Sequence, residues 1–247
     1  MASLNLSFSD LYGRVAKFLG TYRDSGPSGT DLVEAKDYVH SGYRRFLTAK
    51  KEGWSFLNKN YTLSTESGVW EYELPEDFKE MIMPFRFAEN SGYPDMDQRS
   101  EGEIRQLIVE TNSSSYPQYF AIRTGDYTPQ AGQRYEATFW PPADTVYVLS
   151  YTYKYIPPKL SGDNDLHVGG PEFSEVIKEF CLAAAETEAD DVAAVHENIA
   201  QRLLAEALQS DKSRNPVHLG YNGDYAGITQ REIARGSFRV NDVNFVT

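Results

Sequence analysis

Asn60-Tyr61-Thr62-Leu63-Ser64-Thr65, then Glu66-Ser67-Gly68, then Val69-Trp70-Glu71-Tyr72-Glu73-Leu74 closed by Pro75, is where the chain changes period. Apolar and polar residues alternate on both sides of a Gly-containing turn. That pattern predicts a β-hairpin in which residues 60–65 pair with 69–74. Further strands are predicted over residues 81–87, 118–123, 135–140 and 146–155. In the last, Tyr151, Tyr153 and Tyr155 share one face, and Thr152 and Lys154 the other. A short helix over 103–109 interrupts the strands. Pro141-Pro142 and Pro157-Pro158 break them.

On either side of this β-rich stretch the period is helical. Towards the N-terminus, Ser9 is placed to cap a short helix carrying Leu11, Val15, Phe18 and Leu19, with Gly20 to end it. Residues 24–29 form a loop by composition. Thr30 then caps a longer helix whose stripe is Leu32, Ala35, Val39, Tyr43 and Phe46. Arg44, Arg45, Lys50 and Lys51 gather at its C-terminal end, where the helix dipole favours cations, and Gly53 stops it. Towards the C-terminus, Pro171 opens a helix with the stripe Phe173, Val176, Ile177, Phe180 and Ala184. Asp190 or Asp191 caps the next, striped by Val192, Val195, Ile199, Leu203 and Ala207. Helices at both ends each need a partner face. The expected fold is therefore α+β: an antiparallel helical bundle built from both chain ends (residues 1–57 and 158–210), an inserted antiparallel β-rich domain (58–157) and an extended C-terminal arm (211–247).

The arm differs from the body in pattern and in charge. After Asn215-Pro216 the glycines at 220, 223, 227 and 236 alternate with Tyr221, Tyr225, Phe238 and Phe245. The segment lacks the apolar density for its own core. It holds five Lys/Arg against four Asp/Glu, a net +1, whereas the rest holds 19 against 32, a net −13. Aromatic and Arg side chains dominate interface energetics. Tyr221, Tyr225, Arg231, Arg235, Phe238, Arg239 and Phe245 are accordingly the candidate partner-interface residues.

Composition excludes several classes. With a formal charge of −12, tight binding to nucleic-acid phosphates is disfavoured, though an acidic wall lets DNA slide past. No run of 18 apolar residues exists, so no membrane span is expected, and Met1 to Phe8 lacks the basic start and apolar core of a secretory signal. The single cysteine, Cys181, cannot form an internal disulfide, fits a reducing compartment and reads as a small apolar core residue. The four histidines, His40, His167, His196 and His218, show no metal-ligand spacing. Asp163-Asn164-Asp165 opens like a calcium loop but lacks the Gly and the closing Glu, and reads as a turn before a helix. Gly26-Pro27-Ser28-Gly29-Thr30 lacks the Lys and the preceding strand of a phosphate loop. Glu71, Glu73, Glu76 and Asp77 cluster as a solvated acidic face, with a glycan-cleaving acid pair as the distant alternative. No catalytic residue, metal or cofactor is expected.

Several segments, in order, carry a resemblance. They are Trp54-Ser55-Phe56-Leu57, Tyr61-Thr62-Leu63, Ser64-Thr65-Glu66-Ser67-Gly68 and Tyr72-Glu73-Leu74-Pro75-Glu76-Asp77-Phe78. Downstream come Phe139-Trp140-Pro141-Pro142-Ala143-Asp144, residues 151–160, Pro171-Glu172-Phe173 and Ala183-Ala184-Ala185-Glu186. Taken together over residues 30–210, they resemble the head-to-tail adaptor proteins of tailed bacteriophages. The resemblance implies a virion neck protein, assembled in the host bacterial cytoplasm as a ring usually of twelve copies. Its C-terminal segment would grip the portal protein above, double-stranded DNA would pass through its channel without specific binding, and nozzle or fibre proteins would attach below. Another tail structural protein (nozzle, tube or fibre-attachment subunit) is the alternative. Residues 91–112 match nothing in the resemblance.

Overall fold

A computed structural model of the chain describes residues 4–22, 26–88, 91–110, 113–129, 132–190, 195–214, 237–240 and 243–246. Its helices are α1 (Phe8–Phe18), α2 (Gly29–Thr48), α3 (Glu101–Glu110), α4 (Ser174–Asp190) and α5 (Val195–Arg214). Its strands are β1 (Asn58–Ser64), β2 (Glu71–Glu73), β3 (Phe78–Phe87), β4 (Asp97–Gln98), β5 (Tyr119–Thr128), β6 (Gly132–Trp140), β7 (Val148–Tyr155), β8 (Ser237–Val240) and β9 (Val243–Val246). The fold is α+β. Residues 1–212 form one compact unit and 213–247 another.

The helix ends obey capping chemistry, shifted from the expected residues. Ser7, not Ser9, caps α1. Its hydroxyl accepts from the Asp10 amide at 3.2 Å, and the Asp10 carboxylate accepts from the Ser7 amide at 3.0 Å. The reciprocal pair satisfies two orphan donors, so it outweighs a lone Ser one turn in. Gly20 follows the C-cap with φ +72°, as a left-handed terminus requires. α2 begins at Gly29 after Ser28, with Thr30 already inside it, and ends at Thr48 rather than running to Gly53.

One apolar core gathers Phe8, Leu11, Val15, Val39, Phe46, Trp54, Phe173, Ile177 and Phe180 with residues of α5. The α4 helix is central. Val176, Ile177, Phe180, Cys181 and Ala183 to Ala185 are all buried, so it is apolar nearly all round, as a helix packed on several sides must be. Its backbone touches that of α2. A Cβ built on Gly42 would lie 2.5 Å from Cys181 Cα and 2.6 Å from the Phe180 carbonyl carbon. The buried stripe of α5 is Ala200, Leu204, Ala207 and Asp211, whereas Val195 is 61% exposed and Ile199 and Leu203 are half-buried. Of the expected stripe Ala207 is buried as expected, Val195, Ile199 and Leu203 sit one position off the buried face, and Val192 lies outside the described residues.

A second core lies between two sheets, ordered β1-β7-β3 and β2-β6-β5-β4. Phe85 of β3 meets Phe120 of β5 and Phe139 of β6 at ring-centroid distances of 5.0 and 4.9 Å, and Tyr151 of β7 at 4.6 Å. The expected hairpin does not form. β1 pairs antiparallel with β7, Tyr61 opposite Tyr151 and Leu63 opposite Leu149. β2 pairs instead with β6 in the facing sheet. The linking segment crosses between sheets, held by Thr65 N–H to the Tyr147 carbonyl (2.9 Å) and Gly68 N–H to the Ala143 carbonyl (2.8 Å). Leu63 and Leu74 thereby enter one core from opposite sides. Alternation fixes a strand's two faces, but it does not choose the partner strand. The β4–β5 pair is parallel, a departure from the all-antiparallel expectation.

The unit 213–247 contains an element that the sequence pattern did not suggest. β8 and β9 pair antiparallel, with Phe238 opposite Phe245, Arg239 opposite Asn244 and Val240 opposite Val243.

Gly42→Ala is expected to lower unfolding free energy by about 3 kcal/mol or more, since the new methyl meets backbone and not a flexible side chain. Urea unfolding of the two proteins measures it. A change near zero would mean that α2 and α4 separate freely.

Candidate functional site

The helices and sheets join around three ends: the 3₁₀ turn Ser55–Leu57 leading into β1, the end of β7, and the end of α5. Trp54 is fully buried, stacks on Phe46 at 4.6 Å and donates from Nε1 to the Phe46 carbonyl at 3.0 Å. Asp211, 1% exposed, accepts from Lys50 Nζ at 2.5 Å, from Ser55 Oγ at 2.5 Å and from the Ser55 amide at 3.2 Å. Burial pushes its carboxyl pKa up, but the bonds from Lys50 and Ser55 together win, and the pKa is lowered. The arm was expected to begin at 211, yet α5 continues through Arg214. Lys154, read from the sequence as sharing a face with Thr152 opposite the tyrosines, is 4% exposed. It donates to the Glu52 carbonyl and to Glu80 Oε1 at 2.6 Å. Gly53 makes room for it: φ is +72°, and a Cβ would lie 2.6–2.8 Å from the Lys154 side chain.

Beside this junction opens a cleft of about 480 Å³ between α2 and the segment after β7. Leu47, Ile156 and Pro157 supply apolar walls, and Arg44, Lys79 and Lys159 supply charge. His40 also lines it, its pKa lowered by burial and by the nearby Lys159. Arg44 was visible in the sequence as part of a helix-end cluster. Lys79 and Lys159 were not, because residues so far apart in the chain meet only in the fold.

The remaining sequence candidates have defined places. His167, 3% exposed, donates from Nδ1 to the Val168 carbonyl at 2.9 Å and accepts at Nε2 from the Ser174 hydroxyl at 2.7 Å. Ser174 in turn accepts from the Leu6 amide at 3.2 Å, so the pair fastens the segment before α1. Burial holds the His167 pKa below its ordinary value. His196 contacts Glu179 at 2.8 Å and packs edge-on to Phe18. His218 lies outside the described residues. Asp165 accepts from the Ser161 and Gly162 amides at 2.8 and 2.7 Å, a turn held by one carboxylate. Among the described residues, no three His, Cys, Asp or Glu are grouped to hold a metal. Within the acidic cluster Glu71 meets Arg123 (3.0 Å), Glu76 meets Arg134 (2.5 Å) and Asp77 meets Lys59 (3.2 Å) and the Tyr153 hydroxyl (2.7 Å). These carboxylates are engaged in pairs across the sheets. No described helix is long and apolar enough to cross a membrane.

Of the expected interface residues, Tyr221, Tyr225, Arg231 and Arg235 lie outside the described residues. Phe238 and Arg239 lie on β8 and Phe245 on β9.

A family model described as SU10 adaptor protein matches residues 6–220, and the chain belongs to that family of phage adaptor-type proteins. No curated protein matches it. The family match ends before Tyr221, so all seven expected interface residues fall beyond it.

Asp211→Asn leaves Lys50 without its counterion and is expected to cost about 2–3 kcal/mol at pH 7. The difference shrinks as pH falls through the lowered carboxyl pKa, where the wild type loses the same charge. Urea unfolding at pH 7 and at about pH 3 checks both parts. His167 works at milder pH. A lowered histidine pKa means that the folded state binds fewer protons, so stability falls as pH drops below about 6.5. His40 adds to the same slope. In His167→Gln, unfolding free energy should depend less steeply on pH between about 6.5 and 5. An unchanged slope would remove His167 from that role.

Proposed function

We propose that this chain is the subunit of a head-to-tail adaptor ring. About twelve copies close beneath the portal, extend its DNA channel and offer a platform for nozzle or fibre proteins below. Family membership over residues 6–220, which takes in both the helical layer and the sheets, is the observation that carries this reading. In it the helices α1, α2, α4 and α5 act as a bundle at the level of the ring, with the β-rich region projecting from it. An acidic body supports passage of DNA without adhesion.

The C-terminal segment is the portal-gripping part. A two-stranded ribbon is at best marginally stable alone, so β8 and β9 call for a surface to rest on. In the ribbon Phe238 pairs with Phe245 and Val240 with Val243. Tyr221, Tyr225, Arg231, Arg235 and Arg239 complete the proposed contact, the arginines meeting acidic groups of the portal.

Purified chain mixed with the portal protein of the same virion should form rings visible by negative-stain imaging. Deleting residues from 213 onward should abolish portal binding while leaving the folded body intact by circular dichroism. Phe238→Ala with Phe245→Ala should weaken affinity by about 30-fold or more, the scale of a hot spot near 2 kcal/mol. Portal binding that survives the deletion would instead favour the reading as another tail component.

A further inference from the structure

Among the described residues, several cations of this acidic protein are paired with carboxylates. On α2, Arg45 meets Glu197 at 2.7 Å and Lys50 meets Asp211 at 2.5 Å. Lys59, Arg86, Arg123, Arg134 and Lys154 have carboxylate partners as well. Arg44, Lys79 and Lys159 cluster around one cleft without such a partner. All three are exposed, all line the one cleft, and among the described residues none has a carboxylate within 4.0 Å. Between them stand the apolar walls Leu47, Ile156 and Pro157, with Ile156 54% exposed. A groove with three uncompensated cations and an apolar floor fits an acidic partner surface that carries an apolar residue.

The same chain presents such a surface elsewhere. Near the start of α2, Val33 is 59% exposed and its neighbour Glu34 is exposed, as is Glu188 of α4. The Tyr38 hydroxyl donates to Glu34 at 2.9 Å and lies within the field of Glu188, so the two carboxylates flank one phenol. The last turn of α4 has no basic residue, which leaves Glu188 at the negative end of its own helix. A cation supplied from outside relieves that arrangement. Glu34 and Arg44 are ten residues apart on α2, roughly 15 Å along its axis, so the acidic patch cannot fold back into its own cleft.

We propose that Val33, Glu34 and Glu188 of one copy dock into the Arg44, Lys79 and Lys159 cleft of the next. Copies that each carry −12 repel one another over most of their surfaces, and contact is steered to where the cations are uncompensated. Two different patches on one chain make a heterologous interface, the kind that closes rings. The inference rests on the self-assembling adaptor reading and adds the residues through which copies meet.

The test uses two full-length variants. One is Arg44→Glu, Lys79→Glu and Lys159→Glu; the other is Glu34→Lys and Glu188→Lys. Assembly with and without purified portal protein is followed by mass photometry, and thermal melting confirms the fold. If the triple variant melts early, Lys79→Glu with Lys159→Glu replaces it. Each variant alone should need at least a tenfold higher concentration than wild type to assemble. An equal mixture should assemble as wild type does, because each reversed patch then meets its complement. A variant that assembles alone like wild type, or a well-folded mixture that stays unassembled, overturns the proposed contact and leaves the adaptor reading standing. Wild-type chain that never assembles, even on portal, overturns the adaptor reading and this contact with it.

Discussion

The stack of Trp54 on Phe46 fixes where the sheets hang from the helices. Phe46 belongs to α2, and Phe56 and Phe173 close around the same rings, at 5.6 and 5.4 Å from Trp54. The chain leaves this cluster through the turn Ser55–Leu57 and enters β1 at once, so the burial of one indole sets the starting point of the first strand. Aromatic rings of this size carry large buried area and prefer a few relative orientations, which makes such a cluster both strong and specific. Gly169 shows how tight it is. Its φ is +100°, and a Cβ there would come 2.9 Å from Phe173 and 3.1 Å from Phe56.

Charge is arranged around that joint. Asp211 ties the end of α5 to Lys50 and Ser55, one on each side of Trp54 in sequence. Lys154 ties the end of β7 to the Glu52 carbonyl and to β3 through Glu80. Removing one member of a buried pair costs far more than the pair contributes over an apolar substitute, so such bonds favour one geometry strongly over its neighbours. In the proposed ring such a joint would matter, because small angular errors would accumulate from copy to copy.

Much of this was legible in the sequence, and the misses share a cause. The helical stripes of α2 and α4, the strand candidates and the α+β class follow from the 3.6- and 2-residue periods. What failed was anything set by distant partners. Residues 60–74 alternate like a hairpin, yet β1 and β2 join different sheets, because β7 and β6 offer longer ladders than a three-residue β2 could. Lys154 shares the face opposite the β7 tyrosines, and it is buried because the Glu52 carbonyl and Glu80 receive its ammonium. Asp211 hides the buried stripe of α5 behind a charge. Ser9 yielded to Ser7, because the reciprocal bond with Asp10 needs a spacing that only Ser7 has. The cleft's three cations come from α2, β3 and the segment after β7, so no linear reading could collect them.

The family match and the chain's own division into units fall close together, and that bears on how the two parts evolve their roles. The match runs to 220 and the compact body to 212, while the aromatic and arginine residues proposed to meet the portal all follow. A body that tiles with copies of itself, as proposed, would be constrained by packing, with its surface cations held in place by the fold. A segment proposed to bind a partner answers to that partner's surface. On the proposed reading, its aromatic content and its near-neutral charge have one physical explanation: it meets another protein's surface without carrying the body's net negative charge.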